Sequence, residues 1–332
     1  MSRSIGKLLF KILLAPVLWL FNSCSPLGEA VNESISSNHY YSSSGTDIIY
    51  SRSGNWFNLG KSELHADVDS FMVLNPLFGR DKHGVYYEEC LIENPALDPD
   101  TFYTKEGIYN TSMGFDKKHV YAFEKKYEGN KYKVLAHIVT QADPHSYVRT
   151  DNNWAKDKTN HFYRNQKFDV AYDSFEILSD YFVRDSTQIF GRANQEFQLL
   201  DCDKDSFRLY GDTPHGIDTT HLYWLSFFTP EKQEVLTIPY ATIEQVNYLN
   251  LYYLKIDDTI YYDGRILAGA AAATFEVVQH GYAKDDKNVF FKGEIIPNAD
   301  VASFKKEEGS FVISDKNGKY REGKIITPTP EN

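Results

Sequence analysis

Asp81-Lys82-His83-Gly84-Val85-Tyr86-Tyr87 is the phrase that decides the fold. An aspartate, a short polar turn and an apolar–aromatic pair recur as Asp116-Lys117-Lys118-His119-Val120-Tyr121 and as Asp157-Lys158-Thr159-Asn160-His161-Phe162. Looser copies begin at Asp185, at Asp218 and at Asp257, the last one residue shorter, and two more run from Asp285 to Phe291 and from Asp315 to Tyr320. A second landmark, Asp/Ala-x-x-Ser/Thr-aromatic, lies upstream of most copies, as at Asp67 to Phe71, Asp98 to Phe102, Asp143 to Tyr147 and Asp300 to Phe304, with Ile243 as an aliphatic substitute. The aromatic precedes the turn aspartate by ten residues in four pairs: Phe71/Asp81, Tyr147/Asp157, Phe175/Asp185 and Phe275/Asp285. Repetition on this scale describes one supersecondary unit copied along the chain.

Each half of the unit has a mechanical reading. Aspartate at the first turn position accepts hydrogen bonds from amides further on and pre-forms the turn. Gly84, His119, Asn160, Asn288 and Gly318 fall where a hairpin loop is expected to need left-handed backbone. Val-Tyr-Tyr or Val-Phe-Phe then starts a strand. At the other landmark, aspartate caps one helical turn, and Pro99 and Pro144 suit its first position. The expectation is an all-β fold with short helical turns, a tandem array of about eight β-hairpin repeats of roughly 30 residues each.

The phrase Tyr282-Ala283-Lys284-Asp285-Asp286-Lys287-Asn288-Val289-Phe290-Phe291, with the Asp-Pro-x-Thr-Phe phrase at Asp98, resembles the DKNYP family of bacterial envelope proteins. The resemblance spans roughly residues 47–325 and departs from the pattern around Asp218 and before Asp81. It implies a scaffold and supplies no catalytic residues.

The amino terminus carries an address. Arg3, Lys7 and Lys11 precede the apolar run Ile12–Phe21, which ends in Asn22-Ser23-Cys24. Residues 1–23 read as a lipoprotein-type signal, with Cys24 lipidated, although Phe21 and Asn22 depart from the usual pattern. Cleavage without lipid and a retained anchor stay open. Residues 24–46 are serine-rich and read as a flexible tether, 47–325 as the repeat domain and 326–332 as a tail. A lipid at Cys24 would make the membrane a partner and place the chain in a bacterial envelope, at an outer membrane.

The 24 tyrosines and 22 phenylalanines supply a core and argue against disorder. Formal charge is −11, and removing the three signal cations takes it to −14, a field that repels phosphate backbones and excludes nucleic acid as a partner. Cys90 and Cys202 form an even pair in an oxidising compartment, but their different offsets within distant units favour two buried thiols over a bridge.

Chemistry is sought and mostly not found. Asp201 to Asp212 imitates a calcium loop but has Ser206 where glycine belongs, and Gly54 to Ser62 imitates a phosphate loop with one residue too many. The ten histidines show no helical ligand spacing beside a glutamate, and no nucleophile elbow is present. No metal, cofactor or catalytic residue is expected. Two insertions stand out: 123–137 with Tyr127 and Tyr132, and 225–236 with Phe227 and Phe228. Extra residues in repeats gather in loops on one face, often the binding one, and rings there offer rigid contact area. The reading is therefore a non-catalytic lipoprotein acting as a scaffold or recognition module for protein or glycan. An immunity-type inhibitor of a secreted toxin and an envelope hydrolase remain the alternatives.

Overall fold

The computed structural model describes residues 25–227, 233–279 and 281–326. Among the described residues, nine small antiparallel sheets follow one another in chain order, each a meander in which sequential strands pair. Sheet 2 sets the pattern, with strands Met72–Val73, Phe78–Arg80, Val85–Tyr87 and Cys90–Leu91. Sheet 1 spans 27–63, sheet 3 spans 113–138, and sheet 4 spans 148–168. Sheets 5 to 9 span 176–199, 208–239, 246–266, 276–295 and 305–326. Sheet 3 has three strands, its outer position reduced to a bridge between Tyr103 and Phe115. The repeat of the sequence is thus a four-stranded meander in which the Asp phrase forms the turn between strands two and three.

Sheet 1 corrects the tether reading. Leu27–Ala30 and His39–Ser42 are its first two strands, and His39 and Ser36 are buried. Ile48–Tyr50 is buried along its whole length and takes His39–Ser42 as its partner strand, while the serines between them shape the turns. With this sheet, nine sheets stand among the described residues, in keeping with the expected array of about eight units.

The left-handed positions also move. Of the five residues expected to adopt such backbone, only Gly318 has positive φ. Left-handed pairs fill the second hairpin, between strands three and four: Arg164-Asn165, Asn194-Gln195, Asp263-Gly264, Lys292-Gly293 and Glu322-Gly323. Positive φ at both central residues is the type I′ geometry that matches strand twist.

The chain divides into two compact units, 1–170 and 171–332. In the first, the core is a series of clusters each shared by neighbouring sheets: Ile48, Tyr50 and Phe71 between sheets 1 and 2, Phe78, Phe102 and Tyr121 between 2 and 3, and Phe115, Tyr147 and Phe162 between 3 and 4. The second unit is built alike. Phe182 and Tyr223 join sheets 5 and 6, Trp224 and Leu254 join 6 and 7, Tyr253 and Phe290 join 7 and 8, and Tyr282 and Phe304 join 8 and 9. A lone sheet of such short strands could not bury its apolar face, so within each unit neighbouring sheets bury theirs together.

Candidate recognition surface

The recurring carboxylates come first, because their saturation decides what they can do. Asp81 Oδ1 accepts the N–H groups of His83 at 2.8 Å and Gly84 at 2.9 Å. Its Oδ2 accepts the N–H of Asp67 at 2.7 Å and the hydroxyl of Tyr86 at 3.0 Å. Asp116, Asp218 and Asp315 repeat this clamp with Tyr121, Tyr223 and Tyr320 as hydroxyl donors. Asp157, Asp185 and Asp285 keep the three backbone donors. Each carboxylate pins the turn it opens to the cap phrase before strand one.

The cap phrase answers. Ser70 Oγ donates to Asp67 Oδ1 at 2.6 Å and accepts the N–H of Lys82 at 3.1 Å, and Ser146, Ser206 and Ser303 do the same for their turns. The lysine of the phrase then pairs with the cap aspartate: Lys82 with Asp67, Lys117 with Asp98 at 2.7 Å, Lys158 with Asp143 at 3.2 Å and Lys316 with Asp300 at 2.6 Å. Hydrogen bonds from Lys82 and Ser70 hold the Asp67 carboxyl at about 2. Burial alone would raise Asp218, but donations from Tyr223 and from the Thr220, Asp203 and His221 amides outweigh it and hold that group at about 2. The ten-residue spacing at Phe71/Asp81 and Tyr147/Asp157 was a sequence signal of this serine–turn contact, which also forms at the eleven-residue spacing of Phe207/Asp218 and Phe304/Asp315. The calcium-like segment is absorbed too, since Asp203 Oδ2 takes the Ser206 hydroxyl at 2.5 Å.

Asp257 is the exception and a correction. It stands in a two-residue turn between Ile256 and Thr259, exposed and at φ 50°, and clamps no cap. A loop this short has no i+2 and i+3 amides left over for its side chain. Thr242 and Gln245 form a capping box there instead.

The two insertions part company. Residues 120–138 form a long hairpin, Val120–Glu128 against Lys131–Ile138, with Tyr127 directly opposite Tyr132 near its tip. The two rings meet edge to face at 5.0 Å, and Tyr127 and Tyr132 remain 63% and 51% exposed. Lys125 lies 4.3 Å over the Tyr132 ring. Its ammonium is anchored by Glu88 at 2.5 Å and Glu89 at 2.7 Å, so hydrogen bonding overcomes burial and raises its pKa. The hairpin is thereby tied to sheet 2, and Cys90 and Asn94 donate to its edge carbonyls at Tyr132 and Ala136. Phe227, by contrast, is half-buried, its amide on Asp263 and its ring against Tyr181. Phe228 lies outside the described residues, as does Cys24.

A cleft of about 1270 Å³ opens between the hairpin and the fourth strands of sheets 1 and 2. Leu59, Leu91, Leu135, Tyr127 and Tyr132 line it, all exposed, beside Lys61, Glu93 and Lys131. Smaller clefts of about 800 and 750 Å³ lie in the same place between the fourth strands of sheets 3 and 4 and of sheets 7 and 8. Sequence reading missed these clefts, because the outer edge of a meander has no signature of its own.

Among the remaining reactive groups, Cys90 and His215 are buried and Cys202 is half-buried. Cys90 and Cys202 are both free thiols. Burial pushes both up, Cys202 to about 11, with Asp218, Asp201 and Asp203 adding to it, so neither is a thiolate at neutral pH. His215 stacks on Trp224 at 3.8 Å, its Nδ1 accepting the Leu225 N–H, and burial lowers its pKa to about 3. Among the described residues no helix is long and apolar enough to cross a membrane.

Comparison with known proteins gives one match of consequence. Residues 43–226 and 169–324 each match the model of the DKNYY family. No curated protein and no solved structure matches the chain. The expected DKNYP-type resemblance thus holds with one letter of the name changed, over sheets 2 to 9 and part of sheet 1. On that coverage and on the clamp repeated through its sheets, the chain belongs to the DKNYY family.

Proposed function

We propose that this repeat scaffold is a non-catalytic recognition protein, held at a bacterial envelope membrane by a lipid on Cys24, and that the hairpin 120–138 with the cleft beneath it receives another protein. The observation that carries the reading is the pair Tyr127 and Tyr132, which face each other across one hairpin and stay exposed, while most anchor aromatics of the cap phrase are buried. Tyrosines over leucines, rimmed by Lys61, Lys131 and Glu93, have the make-up of a protein contact: an apolar centre with a charged edge. A glycan would use the rings and leave Leu59, Leu91 and Leu135 without a role, so protein is favoured over glycan. The saturated turn aspartates and the protonated thiols support a role without catalysis.

Capture from envelope extract tests this, with the full chain and a Tyr127→Ser/Tyr132→Ser form as parallel baits. A protein retained by the first and lost by the second supports the surface; equal retention by both removes it. Incorporation of labelled palmitate, abolished in Cys24→Ser, checks the anchor separately.

A further inference from the structure

We propose that Asp47, Glu63 and His65 form a binding site for a divalent first-row transition ion such as Zn²⁺. The three offer one carboxylate oxygen each from the acids and one ring nitrogen, all within 4.8 Å of one another. Donor atoms about 2.1 Å from a tetrahedral ion lie about 3.4 Å apart, so small side-chain rotations suffice to close this set on one ion. Imidazole with carboxylates suits zinc, copper and nickel, whereas calcium and magnesium favour oxygen alone. The proposal is independent of the recognition reading, although Glu63 and His65 also line the large cleft.

The scaffold places each donor for its own reasons. Asp47 immediately precedes the strand Ile48–Tyr50, and its Oδ1 accepts the N–H of Ile48 at 2.7 Å and of Ala66 at 3.3 Å. That fixes the carboxylate and turns Oδ2 toward His65 Nδ1, 3.1 Å away. Glu63 sits on the neighbouring strand, directly opposite Ile49. Lys61 reaches only its Oε1, at 3.3 Å, leaving Oε2 without a partner among the described residues. His65 holds positive φ, 54°, two residues before the cap Asp67. Gln141, Gly269 and Asn298 adopt the same backbone two residues before their own caps. The repeat thus dictates the left-handed turn at this position, and in this one sheet a histidine occupies it, beside two carboxylates on adjoining strands. The clamping turn aspartates elsewhere are saturated by amides; Asp47 Oδ2 meets only His65, the proposed co-ligand, and Glu63 meets only Lys61, which a cation can displace.

Titration of the full chain with Zn²⁺, purified without a histidine tag and read by competition with a chromogenic chelator, tests the site. We expect one saturable equivalent in the wild type. His65→Asn, chosen because Asn298 shows that asparagine accepts this backbone, should weaken binding at least about tenfold, and Glu63→Gln should weaken it in the same direction. His83→Ala, which alters another histidine of the same cleft, should leave the affinity unchanged. Circular dichroism identical to wild type certifies that the variants fold. No saturable equivalent, or unchanged affinity in both His65→Asn and Glu63→Gln, overturns the assignment.

Discussion

Asp218 shows how much one residue of the repeat carries. It is 1% exposed and its carboxylate accepts five hydrogen bonds, from the Thr220, His221 and Asp203 amides and from the Thr220 and Tyr223 hydroxyls. Asp218→Asn keeps one acceptor and turns an amide N–H against the Asp203 N–H, so we expect a loss of about 2–4 kcal/mol in urea denaturation. Its carboxyl is held at about 2, below the unfolded value of about 3.9, so the stability it contributes is present above pH ~4 and disappears as pH falls through about 2. The buried histidines act at higher pH. Burial lowers His39 to about 4 and His215 to about 3, against about 6.5 when unfolded. Both therefore favour the fold fully above pH ~6.5 and withdraw that support as pH falls through their folded values. At about 1.4 kcal/mol per pH unit, His39 accounts for roughly 3 kcal/mol. Unfolding free energy measured from pH 7 to 4 should fall, and should fall less steeply in His39→Phe; equal slopes would count against this account. Composition alone did not mark these two histidines off from the other eight, because burial is a property of the neighbours.

At the scale of the element, the close approach of ring to backbone is the governing contact. A Cβ on Gly114 would lie 2.4 Å from the Phe102 ring and 2.9 Å from Phe123, and Gly79 and Gly216 meet Phe71 and Phe207 in the same way. The Cζ tip of the anchor ring in the cap phrase reaches the second strand, two residues before the turn aspartate. Gly114→Ala, squeezed by two rings, is expected to cost about 1–3 kcal/mol by thermal or urea unfolding. The type I′ hairpins invite the opposite change. Gln195 holds φ 69° without a glycine's freedom, and Gln195→Gly should raise stability by about 1 kcal/mol on the same measurement. Left-handed backbone was expected at the Asp turns and found in the second hairpins. The reason is physical: the aspartate side chain already closes the first turn over right-handed residues, so Asn160 and Asn288 serve by their side chains, reaching the Gln141 and Gly269 carbonyls. Asp263-Gly264, Lys292-Gly293 and Glu322-Gly323 carried the glycine signal for the second hairpin all along.

For the whole molecule, each unit is held by nearest-neighbour clusters, and damage to a terminal sheet should spread only to its neighbour. Deleting residues 25–46 removes two strands of sheet 1 and uncovers Ile48, Ile49 and Tyr50. Limited proteolysis should then cut first within residues 47–66 and leave the second unit, 171–332, intact; unaltered resistance at 47–66 would restore the tether reading. What the amino-acid order determined by itself was the period, the β class and the identity of the clamp, because turn closure and capping are local and each needs its residue type at a set spacing. The tether was misjudged for the same reason in reverse: Leu27, Val31, Tyr40 and Tyr41 are too sparse among serines to announce strands, and they pair because Ile48–Tyr50 must be covered. Only tertiary structure decided which rings stay in water, where clefts open between fourth strands, and that Asp47 meets Glu63 and His65. Those are relations between residues brought together by strand pairing and sheet packing, and no local spacing encodes them.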